Sequence, residues 1–138
     1  MRKLLISISI IIVFSTLGLT MFIAYADQFT EADLKKWNEA FMVVVKQGES
    51  LFHSSKLGGN SVSCDMCHPN AANTHPETYP KFQKQLGKVA GLRDMINWCI
   101  QNPLEGKPLM ADDPKLIALE AYITFERRGV KLAPFSPR

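Results

Sequence analysis

Cysteine is scarce in this chain, and the scarcity decides a good deal. Only Cys64, Cys67 and Cys99 occur among the 138 residues. No second C-x-x-C accompanies the first pair, and no two histidines stand three residues apart, so a zinc site with its usual complement of nitrogen and sulfur ligands is not supplied. An excess of one charge is lacking too. Sixteen Lys and Arg stand against thirteen Asp and Glu. Setting aside Arg2 and Lys3 at the extreme N-terminus leaves fourteen against thirteen, so nothing argues for nucleic acid as a partner. Internal repeats, low-complexity tracts and interdomain linkers are absent, which leaves one domain as the natural reading. No stretch of four to eight residues alternates apolar with polar, so the expected fold class is all-α.

The informative stretch is Cys64-Asp-Met-Cys-His68. C-x-x-C-H is the attachment site of a c-type haem. Two thiols at this spacing can each add to one vinyl group of the same porphyrin, and the adjoining His68 is then held under the iron as proximal ligand. Cys64 and Cys67 are therefore the candidate thioether residues, and one covalent haem c is the expected cofactor. A buried porphyrin would also enlarge the core of so short a chain.

The N-terminus reads as an export signal. Arg2 and Lys3 precede an apolar run from Leu4 to Ala24, and Ala24-Tyr25-Ala26 forms an A-x-A cleavage pattern before Asp27. Residues 1–26 are thus expected to be a signal peptide and 27–138 the haem domain. The run is long enough to stay uncleaved as an anchor, in which case the domain sits at the outer membrane face. Either outcome exports the domain to the periplasm, where covalent haem attachment fits.

Helical signals fill the exported part. Thr30 with Asp33 three residues on makes a cap, flanked by Phe29 and Leu34 as a hydrophobic staple. Leu34, Trp37, Phe41, Val44, Val45, Leu51 and Phe52 recur at helical spacing, and Gly48 on that stripe would let another helix cross closely. Gly58, Gly59 and Asn60 mark a loop into the haem motif. A short helical piece is expected over 80–86 and a better one over 89–101, where Val89, Leu92, Met95, Ile96, Cys99 and Ile100 share a face until Asn102-Pro103 ends it. The last helix is capped by Asp112 or Asp113, carries Pro114 in its first turn and Arg127 and Arg128 in its last, and stops at Gly129.

Two thioethers leave Cys99 over, in an oxidising compartment. It could be a small hydrophobe on its helix, a partner for an intermolecular disulfide, or a thiolate on the iron. Met110, in the loop before the last helix, is the competing distal ligand. Arg93 either lies close enough to steady a thiolate or is solvated. His53 reads as a surface or core-edge residue, and His75 is too close in sequence to His68 to reach the opposite side of a porphyrin. Trp37, Trp98 and Tyr122 read as core or haem-packing aromatics.

The order of these pieces resembles a class I cytochrome c: an N-terminal helix with Gly48 and Phe52, the motif Cys64–His68, a middle helix, and a last helix with Tyr122 that crosses the first. Within it, Leu92-Arg-Asp-Met-Ile-Asn-Trp-Cys99, Asn102-Pro-Leu-Glu-Gly-Lys-Pro-Leu109 and Glu120-Ala-Tyr-Ile123 resemble the first haem domain of thiosulfate dehydrogenase and the related sulfur-oxidation cytochromes. That resemblance implies a distal cysteine, which Cys99 matches, so His68 and Cys99 would be the metal ligands. This chain has one C-x-x-C-H and no second haem domain. In size it is similar to the small His/Cys cytochromes of anaerobic ammonium oxidisers, the NaxL and NaxS kind, which implies a heterodimer with a second cytochrome subunit and binding of NO or CO.

The expectation is therefore a monohaem His/Cys cytochrome for low-potential electron transfer or diatomic binding, acting with a redox partner rather than as an enzyme. The alternatives are a conventional His/Met electron shuttle and a haem subunit of an enzyme that oxidises a sulfur compound. An anionic thiolate favours ferric over ferrous iron, whereas a thioether raises the potential, so the distal residue decides between the first two.

Overall fold

A computed structural model describes residues 29–132. The expected signal peptide, its cleavage site and the domain start at Asp27 lie outside the described residues. The chain divides into two units after Lys36. Among the described residues no helix is long and apolar enough to cross a membrane.

Residues 29–36 hold the start of helix α1 (Glu31–Phe52), and its cap is the one the sequence predicts. The Thr30 hydroxyl accepts from the Asp33 backbone N–H at 3.2 Å, while the Asp33 carboxylate accepts from the Thr30 N–H at 3.0 Å. The Thr30 hydroxyl also donates to the Asp33 carboxylate at 2.6 Å, and this bond, followed by the one from the Thr30 N–H, holds the Asp33 carboxyl below the usual carboxylate range. The expected staple residues, Phe29 and Leu34, are both exposed.

From Trp37 onward the unit is built on the crossing of α1 with helix α3 (Pro114–Glu126). Gly48 is buried at that crossing, where an added Cβ would stand 1.9 Å from the Ala118 carbonyl oxygen. The apolar stripe of α1 is buried only in its C-terminal half. Val45 and Phe52 are in the core, but Trp37 and Phe41 are exposed. The reason is the reach of α3, whose Phe125 ring meets Phe41 at 6.3 Å near its own C-terminus. Periodicity reports which side of a helix is apolar, not how far along it a partner extends.

Helix α2 (Leu92–Gln101) starts later than the sequence suggests. The residues before it form an antiparallel hairpin of β1 (Lys81–Gln83) and β2 (Lys88–Ala90), which corrects the expected helical piece over 80–86 and the expected helix start at Val89. Three-residue strands are too short to show a period of two. Gly87, at φ +64°, closes the turn in the left-handed region that favours glycine. Of the three cross-strand pairs, the one with two large apolar members, Phe82 opposite Val89, is exposed at 65% and 67%, while Ala90 is buried. The apolar members thus point outward, inverting the pattern by which strands are normally recognised. With this single small hairpin the domain remains mostly helical.

The ends of the other helices follow their sequence signals. Asp113 caps α3 by accepting from the Lys115 N–H at 2.8 Å, with Pro114 at the first position. Arg127 is the residue that closes the helix, so it and Arg128 lie just beyond the last turn. Leu116, Leu119, Tyr122 and Ile123 on α3 join Ile96 and Ile100 on α2 and Val45 and Phe52 on α1 in one core. Burying a side chain of this size is worth about 1.5–3 kcal/mol.

Candidate haem site

The motif residues are brought together by one tight turn. Cys64–Met66 forms a single 3₁₀ turn, and the N–H groups of Cys67 and His68 both donate back to the Cys64 carbonyl, at 3.3 and 3.0 Å. The chain therefore doubles over, with Cys64 packed against the core and Cys67 exposed. Directly after it, Asn70, Ala71, Asn73 and His75 all adopt positive φ, and Ala71 is fully buried there. Left-handed backbone costs about 1–2 kcal/mol per non-glycine residue, so this loop is held by its surroundings rather than by local preference.

One consequence of that loop is the orientation of His68. Its Nδ1 lies 2.9 Å from the Ala72 carbonyl oxygen. A carbonyl cannot donate, so Nδ1 carries a proton, and in the neutral ring the lone pair is on Nε2, the nitrogen left for a metal. This is the usual support of a ligating imidazole.

A second set of polar contacts ties the motif to α1 and α3. Asp65, between the two cysteines of the motif, accepts from the Ser63 hydroxyl and lies 2.8 Å from His53 Nδ1. The Ser63 and His53 contacts hold its carboxyl below the usual range, Ser63 first. His53 Nε2 in turn lies 3.4 Å from the Tyr122 hydroxyl. The Tyr122 ring packs on Phe52 at 5.1 Å, and its own hydroxyl is pushed above the ordinary phenol value by burial and then by Glu126. His53, expected as a surface or core-edge residue, is 39% exposed at its side chain and also links α1 to the motif. Asp65 and Ser63 had no sequence signal beyond being polar beside a cysteine.

Cys99 lies within electrostatic reach of the other two sulfurs. Burial pushes its thiol up to about 11, and the charge of Cys67 adds to the shift. The Cys64 thiol is likewise pushed up to about 11, by burial first and by Cys99 second. Tyr79, raised by burial, also feels the charge of Cys99. So α2 delivers its one cysteine to the side where the motif presents its pair. A macrocycle with two vinyl groups and a central metal fits this donor set: two thiols on one turn, an imidazole with Nε2 free, and surroundings apolar enough to disfavour charge on sulfur.

A family model for the SoxA/TsdA cytochrome c domain matches residues 47–132. The chain belongs to that family. As a SoxA/TsdA-type cytochrome domain it binds haem c covalently and serves in electron transfer. Curated relatives point the same way. Thiosulfate dehydrogenase from Allochromatium vinosum is 30% identical over 84 residues, which is 52% of this chain and 31% of the relative. The protein of the same name from Stutzerimonas stutzeri is 29% identical over 96 residues, 60% of this chain and 31% of the relative. That from Psychrobacter arcticus is 27% identical over 75 residues, 49% of this chain and 23% of the relative. The chain spans no more than about a third of the length of these relatives.

The remaining candidates of this cytochrome domain are placed elsewhere. Met110 is 74% exposed. The residues on either side of it are fastened to α2: the Asn97 amide donates to the Leu109 carbonyl at 2.9 Å and accepts from the Leu109 N–H at 2.8 Å, and Arg93 donates to the Ala111 carbonyl at 2.8 Å. Arg93, its side chain still 42% exposed, pairs with Glu120 on α3 at 2.7 Å. His75 contacts Glu77 at 3.3 Å. Met95 and Trp98 are half-buried on α2, and Trp37 is exposed rather than core.

Proposed function

We propose that this chain is an exported monohaem cytochrome, residues 1–26 being its leader, in which His68 and Cys99 ligate the iron from opposite sides. It carries electrons at low potential together with a second redox protein in the periplasm. The observation that carries the reading is the third cysteine: α2 sets Cys99 within electrostatic reach of both thioether sulfurs, while Met110 is exposed on a fastened segment. Haem c supplies the one-electron couple. The chain supplies its setting: the Ala72 carbonyl orients His68, and the buried, weakly acidic Cys99 thiol gives a ligand that is anionic only when a metal displaces its proton.

An anionic sulfur favours the oxidised state, so a low potential follows. With haem c bound, reduction would weaken the attraction between the Cys99 sulfur and the metal, and a diatomic such as CO or NO would then gain access. EPR of the oxidised protein tests the ligand directly. The wild type should give the narrow g-spread of thiolate-bound low-spin iron. Cys99→Ser should keep the covalent haem, lose that signal and raise the potential. An unchanged spectrum in Cys99→Ser would remove Cys99 from the metal. Exposure of the reduced protein to CO should shift the Soret band; inertness removes the gas-binding part alone.

A second reading, that the chain is the haem subunit of an enzyme oxidising a sulfur compound, is favoured by the curated relatives, all three of them thiosulfate dehydrogenases. Reduction of the haem by thiosulfate, stoichiometric with its oxidation, would support it. Failure to react in the presence of an added acceptor would leave the carrier reading alone.

A further inference from the structure

We infer that Arg93 and Asn97 are positioning residues that choose which sulfur reaches the iron, by holding the 109–111 segment on the side of α2 turned away from Cys99. The inference rests on the reading of Cys99 as distal ligand and explains why the nearby methionine does not take that place. At about 100° per residue, Cys99 lies about 160° from Asn97 and about 120° from Arg93 around the α2 axis. One face of the helix therefore presents the thiol, and a different face grips the methionine-bearing segment.

The grip has the geometry of a specific clamp. The Asn97 amide pairs with both backbone groups of Leu109, at 2.8 and 2.9 Å, in the manner of one rung of a β-ladder. Arg93 spans from the Ala111 carbonyl, 2.8 Å from Nη1, to Glu120 on α3, 2.8 Å from Nε and 2.7 Å from Nη2. Leu109 and Ala111 are thus both fixed, and Met110 between them is directed to solvent at 74% exposure. The restraint answers a chemical need. A thioether is neutral and suits ferrous iron, whereas a thiolate suits ferric. A free methionine loop would compete for the metal each time the protein was reduced.

The test opens the distal position and then loosens the clamp, reading the near-infrared methionine-to-iron band and the potential of the full-length holoprotein. In Cys99→Ser no methionine band should appear, because the clamp holds. In Cys99→Ser/Asn97→Ala the band should appear and the potential should rise above that of Cys99→Ser. Adding Met110→Ala should abolish both changes. Cys99→Ser/Glu120→Gln, which loosens Arg93 without a further change on α2, guards against misfolding of the first double variant, with haem per chain as the common check. A methionine band already present in Cys99→Ser would overturn the clamp, as would its absence from both double variants with haem content intact. An unchanged spectrum in Cys99→Ser itself would instead sink the thiolate assignment and the clamp with it.

Discussion

Gly48 on α1 stands against the backbone of Ala118 on α3, so close that a Cβ on residue 48 would lie 1.9 Å from the Ala118 carbonyl oxygen and 2.7 Å from the Tyr122 Cβ. The contact sets the distance between the two helices that carry the motif's polar anchors, His53 at the end of α1 and Tyr122 on α3. Neither obstructing atom is the far end of a flexible side chain, so the helices themselves must move to admit a methyl group.

Gly48→Ala should therefore cost at least about 3 kcal/mol, the upper part of the range for overpacking a filled core. Denaturant unfolding of the holoprotein checks this. A loss below about 1 kcal/mol would mean that the crossing is wider than described.

Tyr122 separates packing from hydrogen bonding. Its side chain is 3% exposed, while its hydroxyl makes only a long 3.4 Å contact with His53. Tyr122→Phe should cost about 1 kcal/mol or less, and Tyr122→Ala about 3–5 kcal/mol. Equal losses in the two variants would show that the hydroxyl, not the ring, matters.

Asp65 makes the domain sensitive to acid. Its carboxyl is held below the ordinary value by Ser63 and then His53, so the folded state binds the proton less readily than the unfolded chain. The associated stability is complete above the unfolded carboxylate pKa, about 3.9, and is lost as pH falls through the lower folded value. In a stability profile between neutral and strongly acidic pH, Asp65→Asn should lose part of the acid-side decline shown by the wild type. Parallel curves would disconnect this carboxylate from folding.

The two cysteines of the motif are unequal. Cys64 packs against the core and Cys67 is exposed, so Cys64→Ser should lower thermal stability more than Cys67→Ser. Each variant should retain haem through one bond. The α band of its pyridine haemochrome should move to longer wavelength, because one vinyl group stays conjugated with the ring. Release of all haem on acid extraction of either variant would contradict attachment through both sulfurs.

The features that sequence revealed were those written in short-range chemistry. Thr30 with Asp33, Asp113 with Pro114 and Gly48 on its stripe each carry a local rule, and each forms as that rule dictates, while the five residues from Cys64 to His68 lie within the span that matches the family. What escaped depends on distant partners. The exposure of Trp37 follows from how far α3 reaches along α1. The hairpin at 81–90 hides because the large apolar pair among its three cross-strand pairs, Phe82 and Val89, faces outward. Asn97 looks like any polar residue on an amphipathic helix until Leu109, twelve residues on, supplies both of its partners. Asp65 had the same anonymity, since neither Ser63 nor His53 announces a carboxylate.

The hydrogen bond from His68 to the Ala72 carbonyl has a bearing on biogenesis. The polypeptide favours one imidazole tautomer without help from any ligand, so a metal binding at Nε2 would require no proton migration on the ring. His68 would then be ready for iron at whatever moment the macrocycle is attached.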